Sequence, residues 1–249
     1  MTTKSGLGSR FFLDGYDISG DVGAVGTIRT SNNPLDVSSI DVGGMKRISG
    51  RKSGEMSWNV FFNDAAAQEH VALKAITRTD RCAMWAQSCA AIGDLGIAVR
   101  GKQMNYDWQL GADGGLIGAV QMLSNGSPTE FVELLTPGKR TDTGATNGSS
   151  LDGAAATTYG LAAYAFLTDF TGTDITLTIE DSANNSAFSA ISGGAFTQFT
   201  AVGGQRLQTA INGDVRRYVR IASSTSAGFT SATFVVAFVR YHITQPLYA

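Results

Sequence analysis

The chain carries two histidines, His70 and His242, which fall in different predicted elements. With no HxH or HExxH spacing they cannot form a local two-histidine metal site. A Ser-His-Asp triad would have to borrow one of them without a GxSxG turn to present a serine. Both read as ordinary core or surface residues. The two cysteines, Cys82 and Cys89, would sit roughly 10 Å apart along a helix or 23 Å along a strand, and neither separation suits a disulfide. They read as reduced, half-buried thiols filling a core. Gly138-Lys139-Arg140-Thr141 has the surface look of a phosphate loop, but Glu133 stands where its first glycine must be and Arg140 follows the lysine. Gly20, Gly23 and Gly26 are spaced by three and lack a surrounding βαβ unit, so they read as turn and strand glycines. No catalytic, metal or cofactor site is expected, and the chain is not read as an enzyme.

One cluster could act by charge alone. Lys46, Arg47, Arg51 and Lys52 lie in the Gly-rich stretch that begins at Gly43-Gly44. Two readings stand: a solvated loop, or a reaching loop that pairs with acids of a neighbouring subunit, for example around Asp36 and Asp41.

Composition narrows the partners. Of 249 residues 43% are apolar and 16% charged, with 30 Gly and 4 Pro; the charged share of a typical domain is about 25%. Disorder and collagen are excluded. A net charge of −2 and a pI near 5.7 leave no electrostatic footprint for dedicated nucleic-acid binding or a polybasic membrane anchor, so contact with DNA must be loose. The first fifteen residues hold no signal-peptide core, and nowhere do eighteen apolar residues run together, so neither Sec export nor membrane insertion is expected.

The elements that must carry these residues divide into two halves. All Met, Trp and Cys lie at or before Met122, and the last lysine is Lys139. Residues 1–142 read as one domain, 143–150 as a linker and 151–249 as an all-β sandwich. In the first half, Arg51 to Phe62 alternates, with Met56, Trp58, Val60 and Phe62 on one face. Asn63-Asp64 supplies an N-cap for a helix over Ala65 to Ile76, with Ala65, Ala72, Leu73 and Ile76 on its stripe. A strand follows at Arg81 to Gln87. Residues 103–123 form a long hairpin around Gly111–Gly115, with Met104, Tyr106 and Trp108 alternating with Asn105, Asp107 and Gln109. Phe11-Phe12-Leu13 and Tyr16-Asp17-Ile18 flank a smaller turn at Asp14-Gly15. In the second half, strands are read at Tyr159–Leu167, Asp174–Glu180, Phe196–Thr200, Arg206–Gln208, Arg217–Ala222 and Thr233–His242, with Ser192-Gly193-Gly194 as a turn.

Several of these strings together resemble the major tail tube proteins of long-tailed bacteriophages, in particular a group with an added C-terminal β-sandwich. They are Phe12-Leu13-Asp14-Gly15-Tyr16-Asp17-Ile18-Ser19-Gly20, the turn from Gly111 to Leu116, the connector from Leu134 to Asp142, Val215 to Arg220, and Phe234 to Val239. The resemblance implies a mainly β chain: a tail-tube-type β-sandwich with one flanking helix, then a second sandwich on the tube exterior. It implies six-fold rings stacked into a hollow conduit for genome ejection, with terminator and distal tail proteins as neighbours and DNA as a transient passenger. It places the protein in the virion, assembled in the host cytoplasm. On that reading Asn105, Asp107, Gln109 and Gln121 face the lumen, and Lys46, Arg47, Arg51 and Lys52 touch another subunit. A carbohydrate-binding or host-adhesion module and a capsid decoration protein are the alternatives; the absence of Trp from 151–249 weighs against a sugar-stacking face.

Overall fold

The computed structural model describes residues 5–41 and 43–242. It is mainly β. In chain order the first half holds β1 (Arg10–Leu13), β2 (Tyr16–Asp17), β3 (Val22–Asp36), β4 (Arg47–Phe61), helix α1 (Glu69–Leu73), β5 (Arg81–Ala86), β6 (Leu95–Leu110), β7 (Leu116–Ser124), β8 (Glu130–Leu134) and β9 (Arg140–Asp142). The second half adds β10 (Leu151–Asp152), β11 (Leu161–Thr171), β12 (Ile175–Ser182), β13 (Ser189–Ala195), β14 (Gly203–Gln208), β15 (Tyr218–Thr225) and β16 (Ser231–Arg240).

The pleat sends alternate residues into different cores, and three cores stacked in series result. In the first, Met56, Trp58 and Val60 of β4 and Val120 and Met122 of β7 pack on Phe11, Leu13, Ala83 and Val99. Phe12, Met84 and Ala98, one residue along those same strands, point the other way. They form a second core with Val132, Leu134, Tyr164, Phe166, Val235 and Ala237. The opposite faces of β11 and β16 build the third, where Ala163, Ala165, Phe234 and Val236 meet Ile175, Leu177, Ile179, Val219 and Ile221. Burial on both faces explains why Leu161 to Leu167 reads as an unbroken apolar run rather than an alternating one.

The large sheet runs β14-β11-β16-β8-β6-β5-β1-β2 and so crosses from one half of the sequence to the other, Ala237 pairing with Leu134 and Phe238 with Glu133. Its two ends meet. A Cβ on Gly204 would lie 2.8 Å from Asp14 Cα and 3.1 Å from Cys82 Cβ, and one on Gly15 would lie 2.8 Å from Gly203 N. Backbone thus approaches backbone where a side chain cannot fit. Gly204→Ala is expected to cost about 1–3 kcal/mol through this overpacking, read as a lower urea midpoint. Gly203→Ala, with nothing within 4 Å of its Cβ, should leave the midpoint nearly unchanged; equal effects would disprove the closure argument.

Several expected elements change. Helix is limited to Glu69–Leu73: Asn63 Oδ1 caps only a local turn at Ala65 N, Ala67 sits at φ 62°, and the capping residue is Gln68, without a side-chain cap bond. Of the anticipated stripe only Ala72 and Leu73 are buried, and Ile76 is exposed. Phe62 lies beyond the end of β4 and is exposed. Phe196–Thr200 contributes one isolated bridge, Phe199 to Ile175, while Ser192-Gly193-Gly194 lies inside β13. Strands β3, β8 and β9 escape the sequence reading. At 143–150 the backbone is tied down along β15 by Thr146 with Ser223 and by Gly148 with Ile221.

Candidate assembly interface

Strands β3 and β4 pair from Val22 with Val60 out to Asp36 with Arg47, but β7 flanks β4 only from Glu55 to Phe61. Past Gly54, whose N–H donates to Ser124 Oγ at 2.7 Å, no further strand flanks the pair among the described residues, and it runs on as a two-stranded arm. Leu35 stands opposite Ile48, and Val37 N bonds the Lys46 carbonyl, so Leu35, Val37, Ile48 and Lys46 share one face by the two-residue pleat. All four are exposed. Arg47 and Arg51 are exposed too, whereas Lys52 is half-buried at the base of the arm. The acids expected on a neighbour lie on the same arm as the cations. Asp36 is the cross-strand partner of Arg47 and accepts the Ser38 N–H at 2.9 Å, and Asp41 accepts the Ser39 hydroxyl. Hydrogen bonds from Ser38 hold the Asp36 carboxyl below its usual range. Arg47 reaches the Met45 sulfur.

The hairpin residues proposed for the lumen come together on the face of β4, β7 and β6 opposite the first core. Gln121 N–H donates to Asn105 Oδ1 at 2.7 Å, Asn105 Nδ2 donates to Asp107 at 2.5 Å, and Gln121 Nε2 donates to Glu55 at 2.7 Å. Glu55 also takes Arg29 at 2.6 Å. Gln109 lies farther along, opposite Ile117 and exposed. A register shift between Gln103 and Asn105 alters the simple alternation. Met104 is turned out and 50% exposed, while Gln103 is turned in, accepting from Arg81 and donating to the Leu73 carbonyl. The wet face also carries apolar side chains, Phe61, Ile117 and Leu123, that alternation had left unassigned. Its cations Arg29 and Lys102 are each paired, with Glu55 and Asp80.

Among the described residues both outer edges of this layer are open. There, strand β3 pairs only with β4. On the other side β5 leaves β6 at Gly101 and β8 leaves it at Ala98, so residues 102–110 pair only with β7.

Two buried polar groupings had no signal in the sequence, because their members are spread along the chain. Around α1, Glu69 accepts Tyr106 O–H at 2.7 Å and Asn63 N–H at 2.9 Å, its own N–H donates to Asp21, and His70 Nδ1 lies 3.1 Å from the Tyr106 oxygen. Burial pushes the Glu69 carboxyl up, with those hydrogen bonds opposing it. The grouping fastens α1 onto the hairpin. At the second core, Glu130 forms a two-pronged ion pair with Arg206 (2.9 and 3.0 Å) and accepts the hydroxyls of Tyr164 and Tyr241 at 2.5 Å each. Burial disfavours the Arg206 cation, but the carboxylate more than offsets it and its pKa rises; burial and then Glu130 drive both tyrosines up. Burial also pushes Cys82 to about 12 and Cys89 to about 11, leaving both as unreactive thiols at neutral pH. No group of three His, Cys, Asp or Glu could hold a metal ion among the described residues.

No protein-family model and no curated protein matches this chain. Among solved structures it is similar to a chain of the virion of a native gene transfer agent particle (18% identity, TM-score 0.40, covering 52% of this chain and 98% of that one). It is similar also to a chain of the C6-symmetric tail of an empty gene transfer agent particle (16%, TM-score 0.36, 49% and 94%). A third is the Dit protein of SPP1, described as a paradigm of the hub adsorption apparatus in phages infecting Gram-positive hosts (11%, TM-score 0.32, 93% and 99%). Likeness at this level assigns neither family nor function.

Proposed function

We propose that this chain is a structural subunit of a phage tail that associates with itself into rings and stacks them into a tube. The observation that carries this reading is the layer β3-β4-β7-β6: among the described residues both of its outer edges are open, and on its wet face Arg29 and Lys102 are paired with Glu55 and Asp80. An open edge fifteen residues long, Val22–Asp36, is a template for another strand. Closing such layers around an axis consumes every edge. The resemblance of the sequence to tail tube proteins supplies the six-fold symmetry and the hollow conduit. In this reading residues 1–142 supply the wall, 143–150 the connection and 151–249 the outside. Terminator and distal tail proteins cap the polymer, and the protein resides in the virion after assembly in the cytoplasm. DNA passes without being held, because phosphates bind where unpaired Lys and Arg line a surface.

Negative-stain microscopy with sedimentation of the purified chain tests self-assembly: rings or tubes are expected, and a monomer at every concentration would reject the reading. The lumen assignment has its own test. Asp107→Lys with Gln109→Lys, both at exposed positions, should leave tubes intact while slowing genome ejection severalfold, since each ring then adds a band of phosphate-binding cations. Ejection at the ordinary rate would place this face elsewhere.

A further inference from the structure

The sequence holds three Asn-Gly pairs: Asn125-Gly126, Asn147-Gly148 and Asn212-Gly213. An asparagine before glycine can lose its side-chain amide, because the next backbone nitrogen closes a succinimide ring on the amide carbon and glycine has no side chain to obstruct it. That attack needs a free N–H. All three asparagines are exposed, so exposure does not separate them; the N–H that follows does. Gly148 N–H donates to the Ile221 carbonyl at 2.8 Å, in a stretch where Asn147 bridges to Ala222, and Gly213 N–H donates to the Ala210 carbonyl at 2.9 Å. Gly126 N–H makes no hydrogen bond among the described residues.

The loop between β7 and β8 gives that nitrogen room. Gly126 sits at φ 76°, exposed, and a Cβ built on it would meet nothing within 4 Å. The main chain of Asn125 is anchored, its N–H donating to the Arg100 carbonyl at 3.0 Å, so the corner keeps its place while the side chain reacts. Its Nδ2 donates to both carboxylate oxygens of Asp80, at 3.0 and 3.2 Å. These are exposed bonds, made by the atom that must leave, and water replaces them at small cost.

We propose that Asn125 is a site of spontaneous deamidation in the folded protein. Gly126 N gives up its proton and bonds to Asn125 Cγ; the Cγ–Nδ2 bond breaks, and Nδ2 departs with a proton as ammonia. Water then opens the succinimide at either carbonyl, leaving aspartate or, with the chain routed through the side-chain carbon, isoaspartate. No oxidant, reductant or enzyme takes part. The new carboxylate stands where the amide held Asp80, and it competes for Arg100 and Lys102, which lie 3.3 and 2.7 Å from Asp80 in the unmodified protein. An isoaspartyl link also adds a backbone atom just before Thr129, whose N–H and hydroxyl pack against Gly54 at the base of the β3–β4 arm.

The test incubates the purified chain at mildly alkaline pH and follows the amide-to-acid mass gain at each site by peptide mapping, with an isoaspartyl methyltransferase counting the isoaspartate. In the folded chain Asn125 should convert about tenfold or more faster than Asn147 and Asn212, whose glycine N–H groups must first be released. In urea the three should react at similar rates, since the protection is tertiary. Gly126→Ala places a methyl in open space but crowds the attacking nitrogen, and should slow conversion at Asn125 severalfold. Conversion of Asn125 no faster than that of the other two in the folded chain, a lead that persists in urea, or an unchanged rate in Gly126→Ala would overturn the assignment. None of these outcomes bears on the tail reading.

Discussion

Glu130→Ala should cost about 3–5 kcal/mol, because it strands a guanidinium that the fold has already taken out of water. The Arg206 side chain is 7% exposed and Glu130 5%, and the carboxylate is also the acceptor for two buried tyrosine hydroxyls at 2.5 Å. Removing it leaves the charge facing only Gln208, at 3.0 Å, and the same two hydroxyls. For a chain of this length the loss corresponds to a fall in Tm of about 10 °C, measurable by calorimetry. Glu130→Gln keeps an acceptor for the hydroxyls and should fall between the alanine variant and the unaltered protein. A Glu130→Ala midpoint within about 1 kcal/mol of the original would mean that water reaches Arg206 readily and that the pair does not hold the core together.

A chain ending at Asp142 should fail to fold, an effect larger still. It loses Tyr164, Phe166, Val235 and Ala237 from the second core and so bares Phe12, Met84, Val132 and Leu134, none more than 1% exposed in the whole protein. At about 1.5–3 kcal/mol per large apolar side chain, exposing these four removes on the order of 8 kcal/mol, comparable with the whole stability of a typical domain. The strand β8 would also lose β16 from its edge. The expected products are aggregation or a molten species that binds hydrophobic dyes. Proteolytic nicking between 143 and 150 should behave differently, since both fragments would stay joined through the shared sheet and core. A truncated chain that unfolds cooperatively and sediments as a compact monomer would show that the first half is autonomous.

The length of the hairpin 103–123, its turn at Gly111–Gly115, the strand at 51–61 and most second-half strands were legible because each depends on a local pattern: a two-residue alternation or a Gly-rich turn. Helix at 65–76 was overread for the converse reason. Alanine has the highest helix propensity, but propensity is worth only tenths of a kcal/mol per residue, and a single left-handed Ala67, with Glu69 drawn into bonds to Asn63 and Tyr106, outweighs it. Met104 looked inward by parity, yet one register shift reverses every assignment on its side of the bulge.

What the sequence determined by itself was therefore class and local pattern: a β-rich chain of low charge, with Asn105, Asp107 and Gln109 on one face of a strand and Lys46, Arg47, Arg51 and Lys52 clustered in one stretch. Those properties are sums over residues or spacings within a single element. Only the tertiary structure decided that the two halves share a sheet and a core, that Asp36 and Arg47 oppose each other on one arm, and that Glu130 meets Arg206, Tyr164 and Tyr241. Such contacts join positions 11 to 111 residues apart, and no local period encodes which distant strand will lie beside which; that is set when apolar faces on both sides of β11 and β16 must be buried at once.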